Sequence, residues 1–405
     1  MTAIALLNSE KEPYVVADTL LSADGADPHI EKTVWLPALG DINSEWGDDE
    51  DKWYIARLAR KTFAVPKSSG LLAFSGKCKE MFEFWSDLSE KFHHLQYYNK
   101  TSSITKELIE QILMNSKASS YFSLLGIVKN NAGNFESFKH NKYEEIKTNN
   151  YGKCYVSGSG ADLLKQLIIS RDYFITKNSK WLYGLPISAT EELAEYISSQ
   201  MLYQESDIQN GLSAGSAIAH YCGGFYEWYS VQSKGTKVLQ PRLDIHIKLE
   251  RNHLTITRLY CSEQRISTTG SQDCYTKKYP LLISSFSNSF IDISYSSLLA
   301  CGISLSIDKA YGVLIDSTFD GYENNPHFEP RKSHMIEGQV ADELFGLPME
   351  LKRVRLIIND GKTISNKAFI GVDVKASLQY IDSKFVININ NEIKEYILSQ
   401  VSSLG

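Results

Sequence analysis

The sequence predicts an α+β protein of two domains, the first built in layers and the second rich in strands. Three observations predict it. Over residues 1–237, pairs of apolar strand-like runs alternate with pairs of helix-period segments. Two sheets with helices on their outer faces bury such elements. Over residues 238–405 the texture changes to alternating strands and tight turns. At 405 residues, finally, the chain is too long for one ordinary core.

The elements follow in order. Residues 3–18 read as a hairpin, two apolar runs around Asn8-Ser9-Glu10-Lys11-Glu12-Pro13. Residues 19–58 are acidic and broken by Pro28 and Pro37, which predicts an irregular insertion. Its charge run Asp48-Asp49-Glu50-Asp51 is expected to be a solvated loop. A second hairpin joins Lys61-Thr62-Phe63-Ala64-Val65 to Leu71-Leu72-Ala73-Phe74-Ser75-Gly76. After Gly76 the period changes: Met81, Phe82, Trp85, Leu88, Phe92 and Leu95 recur at helical spacing. A second helix is expected from the caps Ser102 and Ser103, with Ile104, Leu108, Ile112 and Leu113 as its stripe. Strands are expected at about 121–129, 134–139 and 153–157, helices from Gly160 and near 189–204, and a strand over Phe225–Val231. In the second domain, Asp244–Leu249 alternates and turns at Glu250-Arg251-Asn252 into Leu254–Thr257. Val354–Ile358 turns at Asn359-Asp360-Gly361, and Ile393–Val401 reads as a closing helix.

Composition narrows the function classes. With 43% hydrophobic and 22% charged residues, the chain has the balance of a soluble globular protein. A net charge of −6 offers no basic footprint, so no nucleic-acid partner is expected. The apolar start lacks the basic flank of a signal peptide. No run approaches the roughly 20 residues that span a bilayer, so the expectation is a cytoplasmic protein with no membrane partner. Six cysteines (Cys78, Cys154, Cys222, Cys261, Cys274 and Cys301) are scattered without CxxC or Cys/His spacing, which predicts neither a zinc site nor a disulfide framework. His93 and His94 are adjacent on a helix and point about 100° apart. His327 and His334 fall in a loop rich in Glu, Asn and Pro. Neither pair is expected to bind metal, and no cofactor is implied.

The chemistry-bearing residue is Thr2. An initiator Met before a small residue is normally removed, which would leave Thr2 with a free α-amine at the start of a strand. Such a residue carries a nucleophile and a base together: the hydroxyl attacks and the amine, with a free pKa near 8, takes its proton.

Around Thr2 an ordered set of motifs recurs. Val16-Ala17-Asp18 ends the first hairpin, Asp18 lying sixteen residues after Thr2. Lys61 opens the second hairpin, which closes at Gly76, fifteen residues on. Gly158-Ser159-Gly160 precedes a helix, and Tyr221-Cys222-Gly223-Gly224 turns into a strand. Over about residues 2–235 this pattern resembles the proteasome β-subunit family of N-terminal-nucleophile (Ntn) hydrolases, including its bacterial proteasome-like relatives. The resemblance implies an αββα four-layer sandwich.

It also implies roles. Thr2 would be the nucleophile, with its amine as base. Asp18 would hold the catalytic lysine by a charge-assisted hydrogen bond, and Lys61 would lower the pKa of the hydroxyl and amine by its charge. Gly76 would present its N–H to the oxyanion. Ser159 would hydrogen-bond the Thr2 amine. Phe74, two residues before Gly76, would line the first specificity pocket and shorten it, favouring small or slim side chains. Each residue also has a plain structural reading: Asp18 as a turn cap, Lys61 as an edge-strand lysine, Gly76 as a strand end, Ser159 as a helix N-cap and Cys222 as a small buried hydrophobe. Two departures stand out. The stretch from Asp18 to Lys61 is longer than the family's, which makes Lys32 a rival for Lys61, although only Lys61 opens the hairpin that ends at Gly76. The family's carboxylate before the Gly-Gly turn would fall on Ala219, with Ser216 and His220 its nearest polar neighbours.

The expected function is a threonine-dependent amide-bond hydrolase, a peptidase acting on peptide or protein substrates. The alternatives are an Ntn amidohydrolase acting on a small amide and a non-catalytic proteasome-like scaffold that binds partners. The resemblance further implies assembly into homo-oligomers. Residues 238–405 are expected to be an accessory domain that recognises a substrate or partner, meets an activator or regulator, or gates the site.

Overall fold

The computed structural model describes residues 2–25, 32–47, 52–67, 69–178, 182, 185, 187–206, 216–232, 235–236, 241–264, 267–269, 276–278, 281–286, 290–301, 303–315, 334–371 and 374–402. The run Asp48–Asp51 and His327 lie outside them. The protein is of the α+β class and divides into two compact units, one spanning Met1–Val238, the other Leu239–Ile315 and Arg331–Gly405.

In the first unit, β1 (Ile4–Leu7) and β2 (Tyr14–Asp18) form the expected hairpin, with Ile4 opposite Ala17. Every residue of both strands is buried, which is why the runs are continuously apolar rather than alternating. The insertion departs from expectation: it is strand-rich. It holds β3 (Leu20–Asp24), β4 (Thr33–Leu36), β5 (Gly40–Asn43), β6 (Glu45–Trp46) and β7 (Trp53–Leu58). β3 and β7 pair antiparallel into a stem with Leu20 opposite Leu58, and β4 and β5 form a ribbon. These strands are short and the stem closes over a long loop, so no local periodicity announces them. Buried Val34, Trp35, Leu36 and Ile55 give the insertion apolar packing.

The second hairpin is β8 (Thr62–Val65) and β9 (Gly70–Gly76), followed by α1 (Cys78–Tyr98) and α2 (Lys106–Asn115). The second helix starts later than Ser102 and Ser103. Its N-cap is Thr105, whose hydroxyl accepts the Leu108 N–H at 3.4 Å. Then come β10 (Phe122–Lys129), β11 (Phe135–His140), β12 (Glu144–Lys147), β13 (Lys153–Ser157), α3 (Ala161–Lys177), α4 (Ala189–Ser206), α5 (Ser216–Ala219), β14 (Tyr226–Gln232) and β15 (Gly235–Thr236).

One sheet has the order β12-β13-β1-β2-β14-β15 and the other β11-β10-β9-β8. The sheets meet through β1 and β2 against β9 and β10. α1 and α2 cover the second sheet through a cluster containing Leu72, Phe74, Met81, Phe84, Phe122 and Leu124. α3 and α4 lie against β1, β2, β13 and β14. Polar groups fasten the start of α4 to the first hairpin: Tyr14 Oη donates to Glu191 Oε2 at 3.0 Å, and Asn8 Nδ2 donates to Thr190 Oγ1 at 2.8 Å. The hairpin that carries Thr2 and Asp18 is thus held from both sides.

The second unit holds β16 (Arg242–Leu249), β17 (His253–Gln264), β18 (Ser267–Thr269), β19 (Thr276–Lys278), β20 (Leu281–Phe286), β21 (Ile291–Ser294), α6 (Tyr295–Cys301), β22 (Ile303–Ile307), β23 (Ala310–Ile315), β24 (His334–Ile336), α7 (Gly338–Phe345), β25 (Met349–Leu351), β26 (Arg353–Asn359), β27 (Ile364–Ile370), β28 (Ala376–Ile381), β29 (Lys384–Ile389) and α8 (Asn391–Ser402). Its large sheet runs β24-β23-β20-β17-β16-β26-β27, with β16 and β26 parallel. Alternate residues of these two strands, Leu243, Ile245, Ile247, Val354, Leu356 and Ile358, enter a core shared with Phe286, Phe345 and Phe385. A smaller sheet, β22-β29-β28-β25, completes the unit.

Candidate active site

Thr2 stands one residue before Ala3 and the β1 strand, between the ends of β2 and β13, and is 1% exposed. Its N–H donates to Ser159 Oγ at 3.1 Å, and its carbonyl accepts the Gly160 N–H at 3.1 Å. The Gly-Ser-Gly turn therefore wraps the Thr2 backbone. Gly158 has φ +95°, and a Cβ there would stand 2.0 Å from the Thr2 carbonyl oxygen. Only glycine lets the turn come so close. Gly158→Ala is expected to destabilise the unit by on the order of 2–4 kcal/mol and to displace Thr2. A melting temperature equal to wild type would refute that expectation. Gly160, and not Ser159, is the N-cap of α3, so the serine hydroxyl is used on Thr2.

Asp18 is fully buried and accepts three hydrogen bonds. Oδ1 takes the Ala3 N–H at 2.9 Å and Lys61 Nζ at 2.7 Å, and Oδ2 takes the Gly223 N–H at 3.0 Å. Lys61 is also fully buried. Lys32, the rival lysine, is exposed at the foot of the β4–β5 ribbon, where its carbonyl accepts the Ser44 N–H. Of the two lysines, Lys61 is the one that meets Asp18.

Gly76 ends β9 at φ +112° and is exposed. A Cβ there would come within 2.5 Å of the Tyr121 carbonyl oxygen, so the backbone demands glycine whatever its chemistry. Phe74 is fully buried in the cluster with Met81 and Phe84 beneath α1. Strand alternation sends Phe74 to the helix side and Ala73 and Ser75 to the other. Ser75 there shares a 3.1 Å hydrogen bond with Ser157.

The turn Tyr221-Cys222-Gly223-Gly224 closes the site. The Gly223 carbonyl accepts the Thr19 and Leu20 N–H groups, and the Phe225 N–H donates to Thr19 Oγ1 at 2.9 Å. Cys222 is buried against Gly160: a Cβ on that glycine would meet Cys222 Sγ at 2.6 Å and Ala3 Cβ at 2.7 Å. Burial pushes the Cys222 thiol well up, and the Asp18 charge adds to the effect, so it stays protonated. Ala219 is exposed in α5 and His220 is exposed beside it. The buried carboxylate near the turn comes from elsewhere, from Glu205 at the end of α4. Both its oxygens lie 3.1 Å from the Gly224 nitrogen. Burial, opposed by the Gly224 hydrogen bond and reinforced by the neighbouring Asp18 charge, raises its carboxyl to about 8.

A second buried carboxylate, Glu227 on β14, was equally missed. It accepts from Arg60 Nε at 2.8 Å, Thr62 Oγ1 at 2.5 Å and Tyr229 Oη at 2.9 Å. A signal existed: Glu227 is the one charge inside the aromatic run Phe225-Tyr226-Glu227-Trp228-Tyr229, and a charge in a buried strand must be paired.

The assembly brings together a threonine, a buried ammonium–carboxylate pair and a serine hydroxyl, with two further buried carboxylates behind them. Among the described residues no group of three or more His, Cys, Asp and Glu is placed to hold a metal ion. None of their helices is long and apolar enough to cross a membrane. Compared with known protein families and with curated proteins, the chain matches no family model and no curated sequence.

Proposed function

We propose that the first unit is an Ntn hydrolase of the proteasome-like type, an αββα sandwich that cleaves amide bonds in peptides with Thr2. The observation that carries this reading is the Lys61 Nζ–Asp18 Oδ1 pair at 2.7 Å, fully buried and joined to the Thr2–Ala3 backbone through the Ala3 N–H. A buried ion pair is costly and is kept where it has work to do. The layer order and the Ser159 hydroxyl on the Thr2 nitrogen support the same reading.

In this mechanism the Thr2 amine is free after removal of Met1. The Thr2 Oγ attacks the substrate carbonyl, and its proton passes to the amine. Lys61, held by Asp18, keeps a positive charge beside them that favours the alkoxide-like transition state. The oxyanion meets the Gly76 N–H. The amine then protonates the leaving nitrogen, the C–N bond breaks, and an ester to Thr2 remains. Water attacks that ester and its proton goes to the amine; the ester C–O bond then breaks, the amine returns the proton to Thr2 Oγ, and the acid product leaves. Ser159 fixes the amine throughout.

The test is the intact mass of purified protein with and without a peptide epoxyketone or β-lactone, which trap an N-terminal threonine. The expected result is a chain beginning at Thr2 with a single adduct that maps to Thr2 and is absent from Thr2→Ala. A chain that keeps Met1 and takes no adduct would overturn the proposal in favour of a partner-binding scaffold. If the adduct forms, hydrolysis of casein against hydrolysis of small amides separates a peptidase from a small-amide hydrolase.

A further inference from the structure

We propose that Glu227 is the positioning residue for Lys61, clamping the chain on both sides of it so that its ammonium stays on Asp18. This rests on the reading of Thr2, Lys61 and Asp18 as a hydrolytic site.

Lys61 lies between Arg60 and Thr62, and both neighbours are bound to one carboxylate. Arg60 Nε donates to Glu227 Oε2 at 2.8 Å, and Thr62 Oγ1 donates to Glu227 Oε1 at 2.5 Å. Each oxygen thus holds one flank of the lysine. Arg60 is braced again by Tyr229, which accepts from Nη2 at 2.6 Å, takes the guanidinium 5.1 Å from its ring centre, and donates its own hydroxyl to Glu227.

Glu227 is itself referenced to Asp18. On β14 it stands opposite Ala17 of β2, and its neighbour Tyr226 stands opposite Asp18. Lys61 enters from the other sheet, just before β8, and its carbonyl accepts the Phe74 N–H of its own hairpin. The clamp adds a link from both flanks of the lysine to β14, which pairs with the strand that carries Asp18. A lysine side chain has four methylenes and much rotamer freedom, so fixing its backbone on both sides narrows where the ammonium can lie.

Two variants test this. Glu227→Gln keeps the shape and one acceptor. Thr62→Val keeps a β-branched strand residue and removes one bond of the clamp. Two readouts are taken: the rate at which a β-lactone labels Thr2, and the 1H–15N signal of the Lys61 ammonium, assigned by its loss in Lys61→Arg. In wild type a buried ammonium held at 2.7 Å on a carboxylate is expected to give a slowly exchanging signal. In Glu227→Gln that signal is expected to broaden or vanish, and labelling to slow by about 100-fold, the usual effect of a displacement near 1 Å. Thr62→Val is expected to do the same to a lesser degree. An unchanged ammonium signal in Glu227→Gln overturns the proposal, even if the variant melts lower and labels more slowly, because Glu227 would then be merely structural. If wild type takes no label, the hydrolase reading falls. The ammonium signal still decides whether Glu227 positions Lys61.

Discussion

Lys61→Ala is expected to slow Thr2 labelling and peptide hydrolysis by on the order of 10²–10⁴-fold, the range set by removing a positioned charge or acid–base group. The same change is expected to cost about 3–5 kcal/mol of stability, because Asp18 would stay fully buried with two N–H donors and no counter-charge. The two losses are separable. Asp18→Asn with Lys61→Met removes both charges together, so it is expected to recover much of the stability and none of the activity. The comparison that gives the experiment its force is Lys32→Ala. Lys32 is exposed, so its loss is expected to stay within about 0.5 kcal/mol and to leave turnover at wild-type level. Equal activity losses in the two single variants would remove the assignment of Lys61. A Lys61→Ala protein that labels at the wild-type rate would remove the charge from the mechanism altogether.

Glu205 predicts the second large effect, on stability as a function of pH. In the unfolded chain its carboxyl titrates near its ordinary value of 4.5, and in the folded protein near 8. Between these values the folded state keeps a proton that the unfolded state has released. Stability is therefore fully present below about pH 4.5, falls as pH rises through the window, and levels off above about 8. The slope of one such group is about 1.4 kcal/mol per pH unit at most, so the whole window spans on the order of 4–5 kcal/mol. Glu205→Gln keeps an oxygen for the Gly224 N–H and removes the titration. Denaturant unfolding at pH 5, 6, 7 and 8 should show wild type losing stability relative to this variant across the range. Parallel curves for the two proteins would mean that Glu205 is already ionised at the lower end. The prediction also bears on the site: with Glu205 neutral at pH 7, Asp18 faces the Lys61 charge without a second anion beside it.

Much of the site was legible in sequence because its parts sit at element ends. Thr2, Asp18, Lys61, Gly76 and Ser159 all stand where a strand starts or stops, and such points are marked by glycine, polarity and changes of period. The structure gathers Thr2, Asp18, Lys61 and Ser159 through hydrogen bonds and leaves Gly76 at the open end of β9. What stayed hidden lay within elements. Glu205 is one polar residue among many on α4, a helix whose buried face also holds Glu191, Glu192 and Glu195, so a hydrophobic stripe could not be used to find its inner side. The burial of Phe74 beneath α1 stayed hidden because distance along a strand says how near a residue is, whereas parity says which face it takes. β12 escaped because Glu144-Glu145-Ile146-Lys147 buries only Ile146, as an edge strand can. The insertion escaped because its stem pairs Leu20 with Leu58, a contact no local pattern encodes.

The three bonds on Asp18 also set a timetable. Its partners lie 15, 43 and 205 positions away along the chain, and Ser159 is 157 positions from Thr2. As the chain leaves the ribosome from its N-terminus, the threonine, the aspartate and the lysine emerge early, and the Gly223 N–H comes out last. A nascent chain therefore carries these side chains long before it carries the Ser159 hydroxyl and the Gly223 N–H that hold them, and the hydrogen-bond set closes only when the first unit is complete.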